Sequence, residues 1–346
     1  MEPKLTILLP VYNGEEYLPA ALESCLGQSF GDFELLAIDD GSSDATWEIL
    51  RLYARRDRRL RPVRNPRNLR LIATLNRGLA LARGEYLARQ DHDDLSLPGR
   101  LAAQVDFLER HPDHVLVGSY FSTMDPQDRL LARPWPHPTG DGALRAMLVA
   151  YNPFAHGTLA MRLEPIRRHG LRFDPAMLHA EDYDFYSRLM RHGRAAILPR
   201  ELVRYRVHPG SVSARNLTLQ HQMATRIALA NLAQSPLAGR LTPRHILALR
   251  QSGEPAPPLD GPALRRRFRE IRQAVAILER AFPMGHGDRR RLRRTLLSRA
   301  RFALPPARRR WDRLLADLRF LQTEPWIFWR HASQALAYRL RRLGLL

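Results

Sequence analysis

The sequence predicts an α/β protein built on a mostly parallel, doubly wound sheet and followed by a helical extension. Three observations carry this expectation. Short apolar runs alternate with helix-period segments through the first hundred residues, the pattern of repeated βαβ units. Two of the expected strands run directly into acidic clusters, Asp39-Asp40 and Asp91-His92-Asp93-Asp94. After about Leu217 the pattern is helical throughout. Residues 217–346 there hold 26 Arg against 8 Asp and Glu, whereas residues 1–216 are nearly balanced.

Leu5–Leu9 reads as the first strand and Asn13-Gly14 as a turn. A helix over Glu16–Leu26 follows, with Leu18, Ala21, Leu22 and Cys25 at helical spacing, which places Cys25 in the core. Phe33–Ile38 is the second strand. Beyond it, Ser43 suits the cap of the next helix and Asp44 its first turn, and that helix runs to about Arg56. Leu60–Val63 is a strand, Ile72–Arg83 a helix stopped by Gly84, and Tyr86–Ala88 a fourth strand. Pro98 opens a helix through Arg110, and Val115–Val117 is a further strand. Tyr120 to Pro138 reads as proline-punctuated loop, with ordered structure resuming at Met161–Arg168, Glu181–His192 and Ala195–Leu198. In the tail, Ser252–Pro262 carries helix breakers and reads as a linker or sharp turn. The expected division is an α/β unit over 1–216 and a basic, mostly helical region over 217–346.

Composition narrows the function classes. The 346 residues are 45% hydrophobic and 26% charged, the balance of a folded globular chain. Cys25 is the only cysteine, which excludes intrachain disulfides and thiolate clusters and suits a reducing cytoplasm. The first ten residues do not read as a secretory signal, and no run reaches the ~18 apolar residues of a spanning helix. A net charge of +20, concentrated in the tail, points to an anionic partner such as a membrane surface. No recognised nucleic-acid module is present and the aromatics form no stacking motif, which argues against nucleic acid.

The acidic clusters suggest chemistry. Ligands of open parallel sheets bind beyond the carboxyl ends of the strands, where both clusters fall. Carboxylates two residues apart on extended chain point the same way, so Asp91 and Asp93 can share an ion, or divide between an ion and a sugar. Mg2+ or Mn2+ is the natural occupant, since such ions take few protein carboxylates together with water and phosphate oxygens. The plainer alternative is that these aspartates are solvated acids at the start of the helix near Pro98. No glycine-rich dinucleotide fingerprint and no Walker lysine motif follows any strand. Nor is the Asp91 cluster a calcium loop, because Ser96 and Ala102 stand where glycine and glutamate are required.

Six motifs in order over residues 4–216 then resemble the family 2 inverting glycosyltransferases, which have the GT-A fold. They are Leu9-Pro10-Val11-Tyr12-Asn13-Gly14, Ile38-Asp39-Asp40-Gly41-Ser42, Gly84-Glu85-Tyr86, Asp91-His92-Asp93-Asp94, Glu181-Asp182-Tyr183-Asp184 and Tyr205-Arg206-Val207-His208. The resemblance implies that Asp39 recognises uracil or a related base, with Pro10, Tyr12 and Glu15 around the nucleotide. It implies that Asp91 lies near ribose and donor sugar, that Asp93 binds the metal, and that Asp182 is the catalytic base. Glu181 either orients the acceptor or caps its helix. His208 either completes the metal shell, as the matching histidine does in some relatives, or is an ordinary loop histidine. His156, in Asn152-Pro153-Phe154-Ala155-His156, either lines the acceptor side or stabilises its loop. Two positions depart from the pattern. His92 stands where a small residue is common, which threatens to crowd the donor. Arg70 stands where glycine is usual, and either brings a guanidinium to the diphosphate or leaves the loop different.

The expected donor is a UDP- or dTDP-sugar. The expected acceptor is a glycan or lipid-linked hydroxyl compound, in polysaccharide, lipopolysaccharide or other glycan biosynthesis. Two rivals are a nucleotidyltransferase and an inactive relative acting as a basic binding protein. In the tail, Arg265-Arg266-Arg267, Arg289-Arg290-Arg291 and Arg308-Arg309-Arg310 alternate with apolar stretches that end in Trp311, Trp326, Trp329 and Tyr338. This composition suits an interfacial helix on the inner face of a membrane, or helices packed against residues 1–216.

Overall fold

The computed structural model describes residues 2–134, 136–208, 216–250 and 261–302. Its spine is a single sheet in the strand order β3 (Leu60–Arg64), β2 (Phe33–Asp39), β1 (Leu5–Val11), β4 (Tyr86–Arg89), β8 (Ala160–Arg162), β6 (His114–Met124), β9 (Arg194–Arg206), β5 (Leu95–Ser96), with β7 (Leu130–Ala132) paired to β6. The first four are β1 (Leu5–Val11), β2 (Phe33–Asp39), β3 (Leu60–Arg64) and β4 (Tyr86–Arg89), and all their pairings are parallel. The long pair β6 (His114–Met124) and β9 (Arg194–Arg206) is parallel too. Antiparallel joints of two or three residue pairs link the rest: β8 (Ala160–Arg162) between β4 and β6, β5 (Leu95–Ser96) on β9, and β7 (Leu130–Ala132) on β6. Parallel pairing therefore dominates by length, as expected.

Both faces of this sheet are covered, so its central strands are apolar on both sides. In β1, Leu5, Ile7, Leu9 and Val11 face α1 (Leu18–Leu26), α2 (Thr46–Arg56) and α4 (Arg100–Arg110), and Cys25 is buried among them. Leu8, with Leu36 and Ile38 of β2, faces the opposite cluster. That cluster holds Ile72 and Leu75 of α3 (Leu71–Leu81), α5 (Asp141–Leu148), Ile166 of α6 (Leu163–Arg168) and α7 (Glu181–Leu189). The period-two alternation of β1 thus decides which layer each residue joins.

The tail helices complete this second layer. They are α8 (Leu217–Ala233), α9 (Pro243–Leu249), α10 (Gly261–Ala281) and α11 (His286–Phe302). Ile227, Leu249, Leu278 and Leu296 share one apolar cluster with Met147, Tyr183 and Phe185. Asp288 also accepts the backbone N–H groups of Thr139 (2.9 Å) and Gly140 (2.9 Å) at the start of α5. The described tail helices thus pack apolar faces on the first 216 residues. Trp311, Trp326, Trp329 and Tyr338 lie outside the described residues. Among the described residues, no helix is long and apolar enough to cross a membrane.

Several sequence boundaries move. The expected loop over 120–138 is instead, as far as Ala132, the second half of β6, where Tyr120–Met124 pair with Glu201–Arg206 of β9, followed by β7. The short strand expected at Ala195–Leu198 is the start of thirteen-residue β9. Helix α5 was not anticipated, since Gly140 and Gly142 mask its apolar positions Ala143, Leu144 and Met147. The expected Ser43 cap does not apply, and neither Asp44 nor Pro98 falls in the first turn expected for it. Ala45 holds the N-cap of α2 without a side-chain bond, while Asp44 accepts the amide of Thr46 (3.0 Å). Pro98 precedes α4, which starts after Gly99 at φ +79°.

Candidate active site

Strands β2, β1 and β4 are neighbours, and their carboxyl ends open at the switch point of the sheet. Pro10 is buried near the end of β1, opposite Ile38, and Tyr12 is 44% exposed just beyond it. The turn that follows is stapled to the segment after β2: Asn13 donates its N–H to Ser42 Oγ (2.9 Å), and Asn13 Oδ1 accepts Ser43 N–H (3.0 Å). Glu15 joins this staple by accepting the amide of Ala45 at the start of α2 (2.9 Å). Asp39, wholly buried, accepts Ser42 N–H (2.9 Å), and its second oxygen lies 2.9 Å from Arg64 Nε. Asp40 accepts Asn65 Nδ2 (2.6 Å) and Leu69 N–H (2.9 Å), which fixes the loop leading to α3. Arg70 ends that loop, exposed and at φ +69°. The arginine keeps the left-handed backbone that favours glycine, so the turn survives under strain. His92 also finds room, because it lies over Gly14, where a Cβ would stand 2.6 Å from its ring.

The second cluster sits between β4 and β9. Arg89, buried at the end of β4, donates to Asp91 Oδ1 (2.6 Å). Burial opposes ionisation of Asp91, but Arg89, His156 and His92 hold its pKa below the usual range. Asp93 turns the other way, with its Oδ2 3.0 Å from His208 Nε2. Asp91 and Asp93 therefore have different partners. Arg206 anchors both strands: its backbone N–H donates to Asp94 Oδ1 (2.8 Å), its Nε to the Asp93 carbonyl (2.8 Å), and its guanidinium stacks on Tyr17 at 4.5 Å. Asp94 is buried with Oδ2 unpartnered, and desolvation, reinforced by Asp91 and Asp93, raises its pKa well above the carboxylate range. Gly157 closes over this pair. A Cβ there would stand 2.9 Å from Asp91 Oδ2 and 3.0 Å from Asp94 Oδ2.

The third group lines the start of α7. Asp182 accepts Asn152 Nδ2 (2.9 Å) on one oxygen and Tyr183 N–H (2.7 Å) on the other. Burial and then the charge of Glu181 push its pKa up to about 7. Glu181 is itself buried and raised, chiefly by desolvation. His156 Nδ1 lies 2.6 Å from the Tyr186 hydroxyl, while its Nε2 is buried without a protein partner. Burial and Arg89 lower its pKa to about 3, so the ring is neutral.

The fold thus gathers Asp91, Asp93, His156, Glu181, Asp182 and His208 around the ends of β4, β9 and α7, with Pro10, Tyr12, Glu15, Asp39 and Arg70 along β1, β2 and α3. The sequence reading missed Arg89, Asn152 and Tyr186 as supports, and Gly157 as the close approach. Their signal was available in part, since Arg89 adjoins the acidic motif and Asn152 begins the segment containing His156.

A crevice at the switch point of a mostly parallel sheet, lined by carboxylates, is the arrangement of a GT-A enzyme. Residues 6–170 match the sequence profile of glycosyl transferase family 2. The chain is 30% identical over 237 residues to an uncharacterized glycosyltransferase of Haemophilus influenzae, covering 66% of this chain and 73% of that protein. It is 36% identical over 219 residues to EpsE of Bacillus subtilis, covering 62% and 77%. Among solved structures it is similar to Staphylococcus aureus TarS 1-349 in complex with UDP-GlcNAc, with a TM-score of 0.58 and 19% identity over 87% of this chain and 84% of that one. It is also similar to the mannosyltransferase PcManGT from Pyrobaculum calidifontis in complex with GDP-Man and Mn2+, at 0.53 and 20% over 95% and 83%. The chain belongs to glycosyl transferase family 2, and it is a glycosyltransferase of GT-A fold.

Proposed function

We propose that the enzyme is an inverting, metal-dependent glycosyltransferase that moves a sugar from a UDP- or dTDP-sugar to a hydroxyl of a glycan or lipid-linked acceptor. The observation that carries this reading is Asp182, oriented by Asn152 and the Tyr183 amide and raised to about 7. A carboxylate at that value is half-ionised near neutrality and basic enough to receive a hydroxyl proton in the transition state. As the acceptor oxygen bonds to the anomeric carbon, Asp182 takes its proton, and the glycosyl–phosphate bond breaks with its electron pair leaving on the diphosphate. One displacement from the opposite face inverts the anomeric centre. Asp39, Pro10, Tyr12 and Glu15 hold the nucleotide, Arg70 the diphosphate, Asp91 the sugar, and Glu181 and His156 the acceptor side.

The residues also fit a divalent ion. Asp93 Oδ2 and His208 Nε2 are 3.0 Å apart, the spacing of adjacent ligands each about 2.1 Å from one octahedral ion. No group of three or more such side chains stands ready for an ion among the described residues. That leaves room for water and phosphate oxygens, which suits Mn2+ or Mg2+ and is consistent with the Mn2+ of PcManGT. Bound there, the ion supplies Lewis-acid stabilisation of the departing diphosphate.

A screen of nucleotide sugars for hydrolysis with Mn2+ or Mg2+ tests this reading. One UDP- or dTDP-sugar is expected to release nucleoside diphosphate, with a product of opposite anomeric configuration by NMR. Release of pyrophosphate instead, or no turnover of any donor, overturns it.

The second element concerns place. Arg265, Arg266, Arg269, Arg272 and Arg280 are exposed on α10, while Ile271, Ala274, Val275 and Leu278 are buried on its other side. We infer that 1–216 is the catalytic unit and that the arginine face of 217–346 docks it on the cytoplasmic side of an anionic membrane. Attraction is about 1 kcal/mol per arginine near such a surface and is screened by salt. Sedimentation with anionic but not neutral liposomes, reversed by salt, is expected. Equal binding to both refutes it.

A further inference from the structure

Beside the segment 152–158 lies a cavity of about 370 Å³. Its walls come from β6, the chain after β7, β9 and the end of α11. Phe121 and Phe154 are among its lining residues, and among the described residues Arg133 and Arg299 are the charged ones, Arg299 lying 4.9 Å from the Tyr151 ring as well. Most of the lining surface is apolar, which suits an apolar chain, with hydrogen-bonding groups confined to a few side chains. Two buried polar atoms there have no protein partner, Ser119 Oγ and His137 Nδ1. Ser119 is only 5% exposed. Burial, with the nearby charge of Arg299, lowers the His137 pKa to about 4, so the ring is a neutral hydrogen-bonding group. Two guanidiniums without a carboxylate favour an anion, and the volume is that of a small-molecule site.

The cavity shares one wall with the catalytic group. Asn152 lines it and donates to Asp182 Oδ2 (2.9 Å). We propose that this cavity is a ligand site for an apolar chain with an anionic head, and that it seats that end of the acceptor beside Asp182. The apolar chain lies between Phe121 and Phe154, the anion meets Arg133 and Arg299, and Ser119 and His137 complete the polar contacts. The acceptor assignment rests on the glycosyltransferase mechanism above, but the binding site itself does not.

Calorimetric titration of the full chain with farnesyl phosphate, farnesol and inorganic phosphate tests the site. Farnesyl phosphate is expected to bind saturably, and the other two at least tenfold more weakly. Arg133→Glu, on an exposed loop, and Arg299→Glu each weaken farnesyl phosphate at least tenfold, and Ala132→Trp, which fills the cavity from edge strand β7, abolishes binding. UDP titration of the same proteins remains unchanged and reports folding. Bound farnesyl phosphate is also expected to alter donor hydrolysis at least threefold in the wild type but not in Ala132→Trp. Absence of saturable binding, equal binding of farnesol, or unchanged affinity in Arg133→Glu and Ala132→Trp overturns the site. Binding without any change in hydrolysis overturns the acceptor role alone. Loss of donor turnover in the wild type, with farnesyl phosphate still bound, counts against the mechanism and leaves the site standing.

Discussion

The two sides of the crevice treat their acidic residues in opposite ways. Along β1 and β2, Glu15, Asp39 and Asp40 each accept a backbone amide, and Asp39 and Asp40 have a side-chain partner as well. Around β4, β9 and α7, Asp94 and Glu181 are buried and raised, Asp182 stands at about 7, and His156 is held neutral with one nitrogen unpartnered. Those contacts tie Asp39, Asp40 and Glu15 into the fold, whereas desolvation and neighbouring charge displace the proton affinities of Asp94, Glu181, Asp182 and His156. The difference separates, along this sheet, carboxylates tied into the fold from carboxylates whose protonation the fold displaces, and under the proposed mechanism it sets nucleotide binding apart from proton transfer.

The separation can be broken most sharply at the junction. Chelation is expected to take transfer to background, and Asp93→Ala to remain inactive with excess Mn2+, because the ion would join protein and diphosphate. Full turnover in chelator removes the metal from the scheme. Next in size, Asp182→Asn should lower transfer at least ~100-fold, the lower range for losing a general base. Its nucleotide affinity, read by UDP titration, should stay near the wild type. Asp39→Asn should do the reverse, weakening UDP about tenfold or more, as for a lost hydrogen bond to a charged group. If both variants lose binding and turnover alike, the two sides are not distinct.

A smaller effect follows from pH. With Asp182 near 7, kcat/KM should rise about tenfold from pH 6 to 8, since its ionised fraction rises by that factor. A flat profile would dispose of the base. Stability moves in the opposite sense. The folded protein holds the Asp182 proton more tightly than the ordinary 3.8, so this group's contribution is full at low pH and is lost as pH rises through about 7. His156, lowered from 6.5 to about 3, favours the folded state more as pH rises across that interval. Asp182→Asn should therefore leave a protein whose melting temperature climbs more steeply between pH 4 and 6.5.

The least effect on turnover is expected from Leu278→Ala in α10, which should cost about 2–5 kcal/mol of stability. Calorimetry should show one transition, because Leu278 shares a core with Phe185 and Met147. Two separated transitions would mean that the tail folds apart from the sheet.

Legibility in the sequence follows the same divide. The parallel half is readable because β1 to β4 are short apolar runs with helix-period segments between them, and Asp39 and Asp91 mark their ends. The second half is assembled by joints of two or three residue pairs, too short for any period to register. Asp182 and His208 were found by motif rather than by pattern. Arg89 and Arg206, buried charges at strand ends, contradict the usual solvent preference of arginine and show their role only through their partners. Arg70 could not be read either, because nothing in one sequence says that a non-glycine residue will keep φ +69°.

The shared core of α7 and the tail also has a consequence in time. Leu189 ends α7, yet the cluster it joins is closed only by Leu296 and Leu297 of α11. At ~5–20 residues per second of synthesis, the sheet waits roughly 5–20 s on the ribosome with that layer incomplete. The nascent chain would expose Met147, Tyr183 and Phe185 through that interval, a window in which chaperone capture competes with aggregation.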